Sequence, residues 1–158
     1  MILGTTAHRP NKLGMEYDYE GPYTNLLLRE YTKILLQYDP EYIITGMAQG
    51  GDTIWVLAGM LLGMPFKAAI PFEGQEKMWP TKAQELYWNI LNHELCLEKV
   101  YVCEPGYASW KMQKRNIWML EHMDLLISAW DGSEGGTANC CIEADKRKIP
   151  RININLKI

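Results

Sequence analysis

The chain alternates short apolar runs with longer stretches in which apolar positions recur every three or four residues. The first pattern is that of buried strands and the second that of amphipathic helices. Strands are predicted over residues 1–6, 42–45, 66–72, 99–103, 125–130 and 150–156. Helices are predicted over residues 23–38, 53–62, 81–95, 109–123 and 137–146. In the first helix Leu27, Tyr31, Ile34, Leu35 and Tyr38 share one face, and Asp39-Pro40 stops it. The second is apolar almost all round, which predicts burial, and Gly63 with Pro65 beyond it closes its end. Thr81 is the predicted N-cap of the third helix, with Gln84 completing a capping box.

Strand and helix in near-strict alternation predict an α/β fold: a single Rossmann-like, doubly wound, mostly parallel sheet with helices on both faces. One domain is expected to span residues 1–158, because no repeat, linker or low-complexity tract interrupts the pattern. Such a sheet binds ligands beyond the carboxyl ends of its strands, where strand order reverses. The polar loops predicted at those ends are residues 5–10, 46–52, 71–75, 104–106 and 131–139.

Composition narrows the function. Hydrophobic residues make up 47% and charged residues 22% of the chain, as in an ordinary soluble protein. A net charge of −3 argues against a dominant nucleic-acid or anionic-membrane surface. No run approaches the roughly 18 apolar residues of a membrane span, and the first residues lack the pattern of a secretory signal. A cytoplasmic protein is expected. The cysteines read as buried or half-buried free thiols, since Cys140-Cys141 are adjacent and no spacing with His8, His93 or His122 makes a ligand set. Neither a metal nor a cofactor is expected.

The chemistry concentrates in two glycine loops. Gly50-Gly51-Asp52 and Gly135-Gly136-Thr137 each follow a strand and open a helix. Glycine lets a ligand approach the backbone, and the first helical N–H groups attract an anion. The structural alternative is a tight turn with Asp52 or Thr137 as an N-cap. Neither loop is a Walker A sequence or a G-x-G-x-x-G fingerprint. After the first strand, His8-Arg9 offers a guanidinium suited to phosphate. Arg115 and Asn116 lie on a helix whose core side is marked by Met112, Met119, Leu120 and Met123, and Asn116 shares that face. They need partners: a ligand, or a carboxylate such as Asp124 or Asp131. Of the tryptophans, Trp79, Trp110 and Trp118 could stack on a base or pack at an interface, and Trp130 reads as core.

Thr6 to Pro10 with Lys12-Leu13-Gly14, Gly46 to Asp52, Pro71 with Gln75 and Trp79, Arg115-Asn116 with Met119 and Asp124, and Gly135-Gly136-Thr137 with Asn139 form an ordered set that resembles the YpsA-like branch of the SLOG superfamily. Thr6-Ala7-His8-Arg9-Pro10 with Lys12-Leu13-Gly14 is similar to that branch's T-G-H-R-P-x-K-L-G opening. The stretch from Gly46 to Asp52 resembles its second glycine loop, and Pro71, Gln75 and Trp79 its P-x-x-x-Q…W segment. Arg115-Asn116, Met119, Asp124 and Gly135-Gly136-Thr137 with Asn139 resemble its R-N-x-x-M…A-D…GGT-x-N run. The resemblance spans almost the whole chain.

It implies a pocket for a nucleotide or nucleotide-derived, ribose-phosphate ligand. Thr6, His8, Arg9, Gly46, Gly50, Gly51, Asp52, Asn116, Gly135, Gly136, Thr137 and Asn139 would bind it. The superfamily also holds LOG-type enzymes, which cleave a base from a nucleoside 5′-monophosphate, and DprA, which binds nucleic acid. Their relatives commonly dimerise, so a homodimer or higher homo-oligomer is expected. The LOG signature departs here: Asp131-Gly132-Ser133-Glu134 replaces P-G-G-x with two extra residues, and Cys140 stands where the catalytic glutamate would be. An N-glycosidase reading therefore rests on Arg115 with Asp131 or Glu134, because an oxocarbenium-like state needs a carboxylate. The DprA-like reading lacks a basic stripe.

Overall fold

The computed structural model describes residues 1–9, 19 and 21–157. Pro10, Lys12, Leu13 and Gly14 of the opening motif lie outside the described residues. In chain order the elements are β1 (Ile2–Ala7), α1 (Pro22–Tyr38), β2 (Tyr42–Thr45), α2 (Gly51–Leu61), β3 (Phe66–Ile70), α3 (Thr81–Leu91), β4 (Cys96–Tyr101), α4 (Ser109–Glu121), β5 (Leu125–Ala129), α5 (Gly136–Lys146) and β6 (Arg151–Asn153).

The strands form one six-stranded sheet in the order β4-β3-β2-β1-β5-β6, and every pairing is parallel. Alternation along each strand sends successive side chains to opposite faces. Ile43, Ala68, Ile70 and Ile127 join a core with Leu27, Tyr31 and Leu35 of α1, Ile54 and Trp55 of α2, and Tyr87 and Ile90 of α3. Their neighbours Ile44, Ala69 and Leu126 pack instead on Met119 and Leu120 of α4 and on Cys140 and Ala144 of α5. The sheet is thus doubly wound, as the alternating pattern predicts. From β1 the chain winds one way through β2, β3 and β4, then returns to place β5 on β1's other side. The gap between β1 and β5 is the point of reversal.

Local signals account for most boundaries. Gly63, at φ 71, follows the C-cap of α2, and Gly63 and Met64 donate their N–H groups to Met60 and Gly59. This is the two-bond closure that a left-handed glycine permits. Helix α3 stops earlier than expected because the His93 ring accepts the Leu95 N–H at 3.1 Å and turns the chain into β4, which begins three residues before the predicted start. The predicted capping box at Thr81 is not formed. Pro80 occupies the N-cap, and the Gln84 amide donates to the Trp79 and Lys77 carbonyls. Trp130 is half-buried rather than core, its indole N–H donating to Ser133 O at 2.8 Å.

Edge strand β4 exposes Leu97, Glu98, Lys99 and Tyr101. Adjacent charges on an edge discourage pairing with another sheet. Among the described residues no helix is long and apolar enough to cross a membrane.

Gly51 fixes how closely α2 approaches β1. A Cβ at position 51 would lie 2.0 Å from the Ala7 Cβ. Gly51→Ala is therefore expected to destabilise the fold by about 1–3 kcal/mol, the usual penalty of overpacking. Adding Ala7→Gly should restore most of that loss in urea denaturation; equal stability of the two variants would show that the contact relaxes freely.

Candidate functional site

A cavity of about 480 Å³ opens at the carboxyl ends of β1 and β5, at the reversal of strand order. Its walls come from the end of β1 (Thr5, Thr6, Ala7, His8, Arg9), the loop into α2 (Ala48, Asp52), α4 and the residues before it (Tyr107, Ser109, Met112, Gln113, Arg115, Asn116), and the start of α5 (Gly135, Gly136, Thr137, Asn139).

Arg115 is the floor. Its guanidinium is almost wholly buried, a position that demands compensation by hydrogen bonds or charge. Nη1 donates to Gly46 O at 2.6 Å and reaches Ala69 O at 3.5 Å, while Nε donates to Asn116 Oδ1 at 3.0 Å. Among the described residues Nη2 donates to no protein atom. The counter-charge is Asp52, not the Asp124 or Asp131 that the sequence offers as rivals. Asp124 instead accepts the Ile2 N–H at 2.7 Å. A Cβ at Gly46 would lie 2.6 Å from Arg115 Nη1 and 2.8 Å from Asp52 Oδ2, so glycine is what lets the two charges face each other.

Burial pushes the Asp52 carboxyl above its ordinary pKa, against the attraction of Arg115 and the Ala48 N–H that Oδ2 accepts at 3.3 Å. Burial likewise lowers Arg115, against the attraction of Asp52. The loop that carries Asp52 is held by its own hydrogen bonds. Thr45 Oγ1 accepts from Met47 N and donates to Asp52 O, and Thr53 Oγ1 donates to Ala48 O at 2.9 Å. Gln75, from the loop after β3, adds its amide to the Gly46 and Met47 carbonyls at 3.4 Å.

The two glycine loops differ electrostatically. Neither helix has a side-chain cap: Gly50 and Gly135 are the N-caps, with Asp52 and Thr137 inside the first turns. In α2 the Gly51 N–H is taken by His8 O, and Asp52 places a carboxylate against the helix end. In α5 the first helical bond runs from Asn139 N–H to Gly135 O at 3.0 Å, and its first turn holds no acid. The N–H groups of Gly136, Thr137 and Ala138 precede that bond and have no helical partner. Gly135, at φ 136, needs glycine for its backbone. Gly136 does not: its φ is not positive and a Cβ there would meet nothing within 4 Å.

His8 forms part of the wall, and its Nε2 lies 2.8 Å from Asp131 Oδ1 and 3.0 Å from Asp131 N. Asp131 Oδ1 also accepts the Ser133 N–H at 2.9 Å. The Ser133 hydrogen bonds, then His8, hold the Asp131 carboxyl well below the usual carboxylate range. Asp131 and Glu134 are exposed and outside the cavity lining. Cys140 lies beneath the wall, hydrogen-bonded to Thr6, and burial pushes its thiol up to about 12, so it stays neutral.

Of the residues selected from sequence, Thr6, His8, Arg9, Asp52, Arg115, Asn116, Gly135, Gly136, Thr137 and Asn139 meet around one cavity. Gly46 lies under Arg115, Gly51 serves the α2–β1 contact, and Gly50 is the N-cap of α2 at φ 94. Thr5 and Ala48 lie in the predicted ligand-end loops without having been singled out, and sequence reasoning missed Tyr107, Ser109, Met112 and Gln113 as lining residues. The spacing of Ser109, Met112, Gln113 and Asn116 was a usable signal, because it places all of them on one helical face. Among the described residues no cluster of His, Cys, Asp or Glu could hold a metal ion.

Arg115→Ala is expected to cost about 3 kcal/mol or more by leaving Asp52 without its counter-charge. Combining it with Asp52→Asn should recover part of that loss. Asp52→Asn alone has a pH signature. Between the ordinary carboxyl pKa and the raised one, the folded protein keeps a proton that the unfolded chain releases. Stability therefore falls as pH rises through that window, and asparagine removes this slope. Denaturation of both proteins from about pH 4 upward checks it, using the ordinary carboxyl range as the starting point; parallel curves would contradict the assignment.

No family model matches the sequence. The fold is shared with DNA processing protein A of Streptococcus pneumoniae, at TM-score 0.66 and 15% identity, covering 96% of this chain and 49% of that one. The chain thus spans about half the length of that protein. The DNA processing protein A of Helicobacter pylori, described for its single-stranded DNA binding mode, gives TM-score 0.67 at 14% identity over 97% of this chain and 64% of that one. The structural-genomics target TM1055 gives 0.61 at 15% identity, covering 95% and 71%. In sequence the chain is 37% identical over 134 residues to the uncharacterized SPbeta prophage-derived protein YoqJ of Bacillus subtilis (strain 168), covering 76% of this chain and 78% of YoqJ. At that identity and coverage, the chain belongs to the family of YoqJ.

Proposed function

We propose that the cavity binds a nucleotide or a related ribose-phosphate ligand, with its phosphate on the N-terminus of α5, as the resemblance to the YpsA-like branch of the SLOG superfamily implies. The observation that carries this is the state of Gly136. It stands in a first helical turn with no side-chain cap and no acid, beside a cavity, with open space where a side chain would fit. Packing does not ask for glycine there, and the close approach of an anion does. Arg9 and Arg115 line the same cavity and add positive charge. Asp52, at the other glycine loop, supplies an acceptor for a sugar hydroxyl.

Binding is favoured over N-glycoside hydrolysis. Asp131 is engaged by His8 and Ser133, Glu134 lies off the cavity lining, and the neutral Cys140 thiol cannot supply a carboxylate's charge.

Calorimetry against nucleoside mono- and diphosphates, cyclic nucleotides and ADP-ribose tests this reading, and silence across the panel with folded protein would sink it. Gly136→Asp separates fold from function. The added carboxylate opposes a bound anion yet complements the helix dipole, by about 0.3–1 kcal/mol. Ligand binding should disappear while thermal stability holds or rises slightly.

A further inference from the structure

An aromatic side chain at the rim of this cavity is left uncovered, above a loop that is hydrogen-bonded in place. Tyr107 is 77% exposed, and it lines the cavity from the loop between β4 and α4. Exposing so large a ring forgoes the burial that aromatic residues ordinarily gain. The loop beneath it is nevertheless tightly fixed. The buried Lys111 ammonium donates to Glu104 O at 2.8 Å and Gly106 O at 2.7 Å, and reaches Pro105 O at 3.4 Å. The same ammonium lies 5.7 Å from the Phe72 ring, and Phe72 meets Tyr107 edge to face at 6.1 Å between centroids. A buried charge thus holds the loop that leads into Tyr107, and a buried ring packs on the edge of its exposed one.

Resting on the nucleotide reading above, we infer that Tyr107 is the stacking platform for the base, so that the ligand is an intact nucleotide rather than a sugar phosphate. A pre-fixed aromatic face loses little freedom on binding, and every base has a π-face to offer it. Met112 and Gln113, one helical turn into α4, line the wall beside it. The Gln113 Oε1 accepts from Asn116 Nδ2 at 3.4 Å, which leaves the Gln113 amide N–H groups for the edge of the base. Phosphate at α5 and base at Tyr107 place the ribose between them.

The experiment is calorimetric titration of AMP, GMP, CMP and UMP, with ribose 5-phosphate as the ligand lacking a base, into the wild type, Tyr107→Ala and Tyr107→Phe. Tyr107→Ala should weaken the best nucleotide roughly tenfold or more, the usual consequence of losing one stacking partner. Tyr107→Phe should restore it, and ribose 5-phosphate should bind all three proteins alike. If Tyr107→Ala binds the nucleotide as the wild type does, or loses both ligands equally, the platform is refuted while the phosphate site stands. If the wild type binds neither ligand, the nucleotide reading fails and the platform falls with it.

Discussion

The structure turns on a buried guanidinium. Arg115 sits where water cannot solvate it, so its surroundings must do so. The Gly46 carbonyl takes its shortest bond, the Asn116 amide oxygen takes Nε, and Asp52 supplies the opposing charge. Each of these comes from a different stretch of the chain or must be shaped to fit. Position 46 has to be glycine, because a methyl group would strike Arg115 and Asp52 together. Met47 then takes a left-handed backbone, φ 55, and the Gln75 amide fixes the carbonyls on either side of that turn. The carboxyl ends of β2 and β3 are thereby tied to α4 through one side chain.

That arrangement also decides which helix end is available. Asp52 is needed beneath Arg115, and it lies in the first turn of α2. Its charge offsets the positive end of that helix, and the Gly51 N–H is spent on His8 O. The first turn of α5 has no such acid. Two loops that look alike in sequence therefore differ electrostatically: one carries an acid in its first turn and spends an N–H on His8 O, and the other has no acid in its first turn and borders the cavity. Asp131 completes the division. Bound to His8 and Ser133, it braces the cavity wall from outside.

The fold was legible because burial on both faces leaves a plain trace. Ile43 and Ile44 are adjacent, both apolar and both fully buried, yet belong to different cores, which only a sheet covered on two sides requires. The gathering of Arg9, Arg115 and the second glycine loop was legible from parallel topology, since that topology brings successive strand ends to one edge. The pairing of Arg115 with Asp52 was not. Nothing in sequence distinguishes Asp52 from Asp124 or Asp131 as a counter-charge until the chain is folded. Tyr107 was missed for a related reason: a tyrosine in a loop carries no period, and only its exposure beside a cavity gives it meaning. The false capping box at Thr81 shows the reverse, a local pattern overruled by proline at the preceding position and by the reach of Gln84.

The glycines sort themselves by the same physics. At Gly46 and Gly51 a side chain would collide with protein atoms, so the fold alone explains them. At Gly63 and Gly135 the backbone is left-handed or beyond, so conformation explains them. Gly136 has neither reason. Its φ is ordinary for any residue, its surroundings are empty, and glycine at a first helical position sacrifices stability relative to alanine. A residue that weakens its own helix without easing a clash or a turn is best explained by something outside the chain that must come close to it. Among the glycines of the two loops, Gly136 alone asks for a ligand.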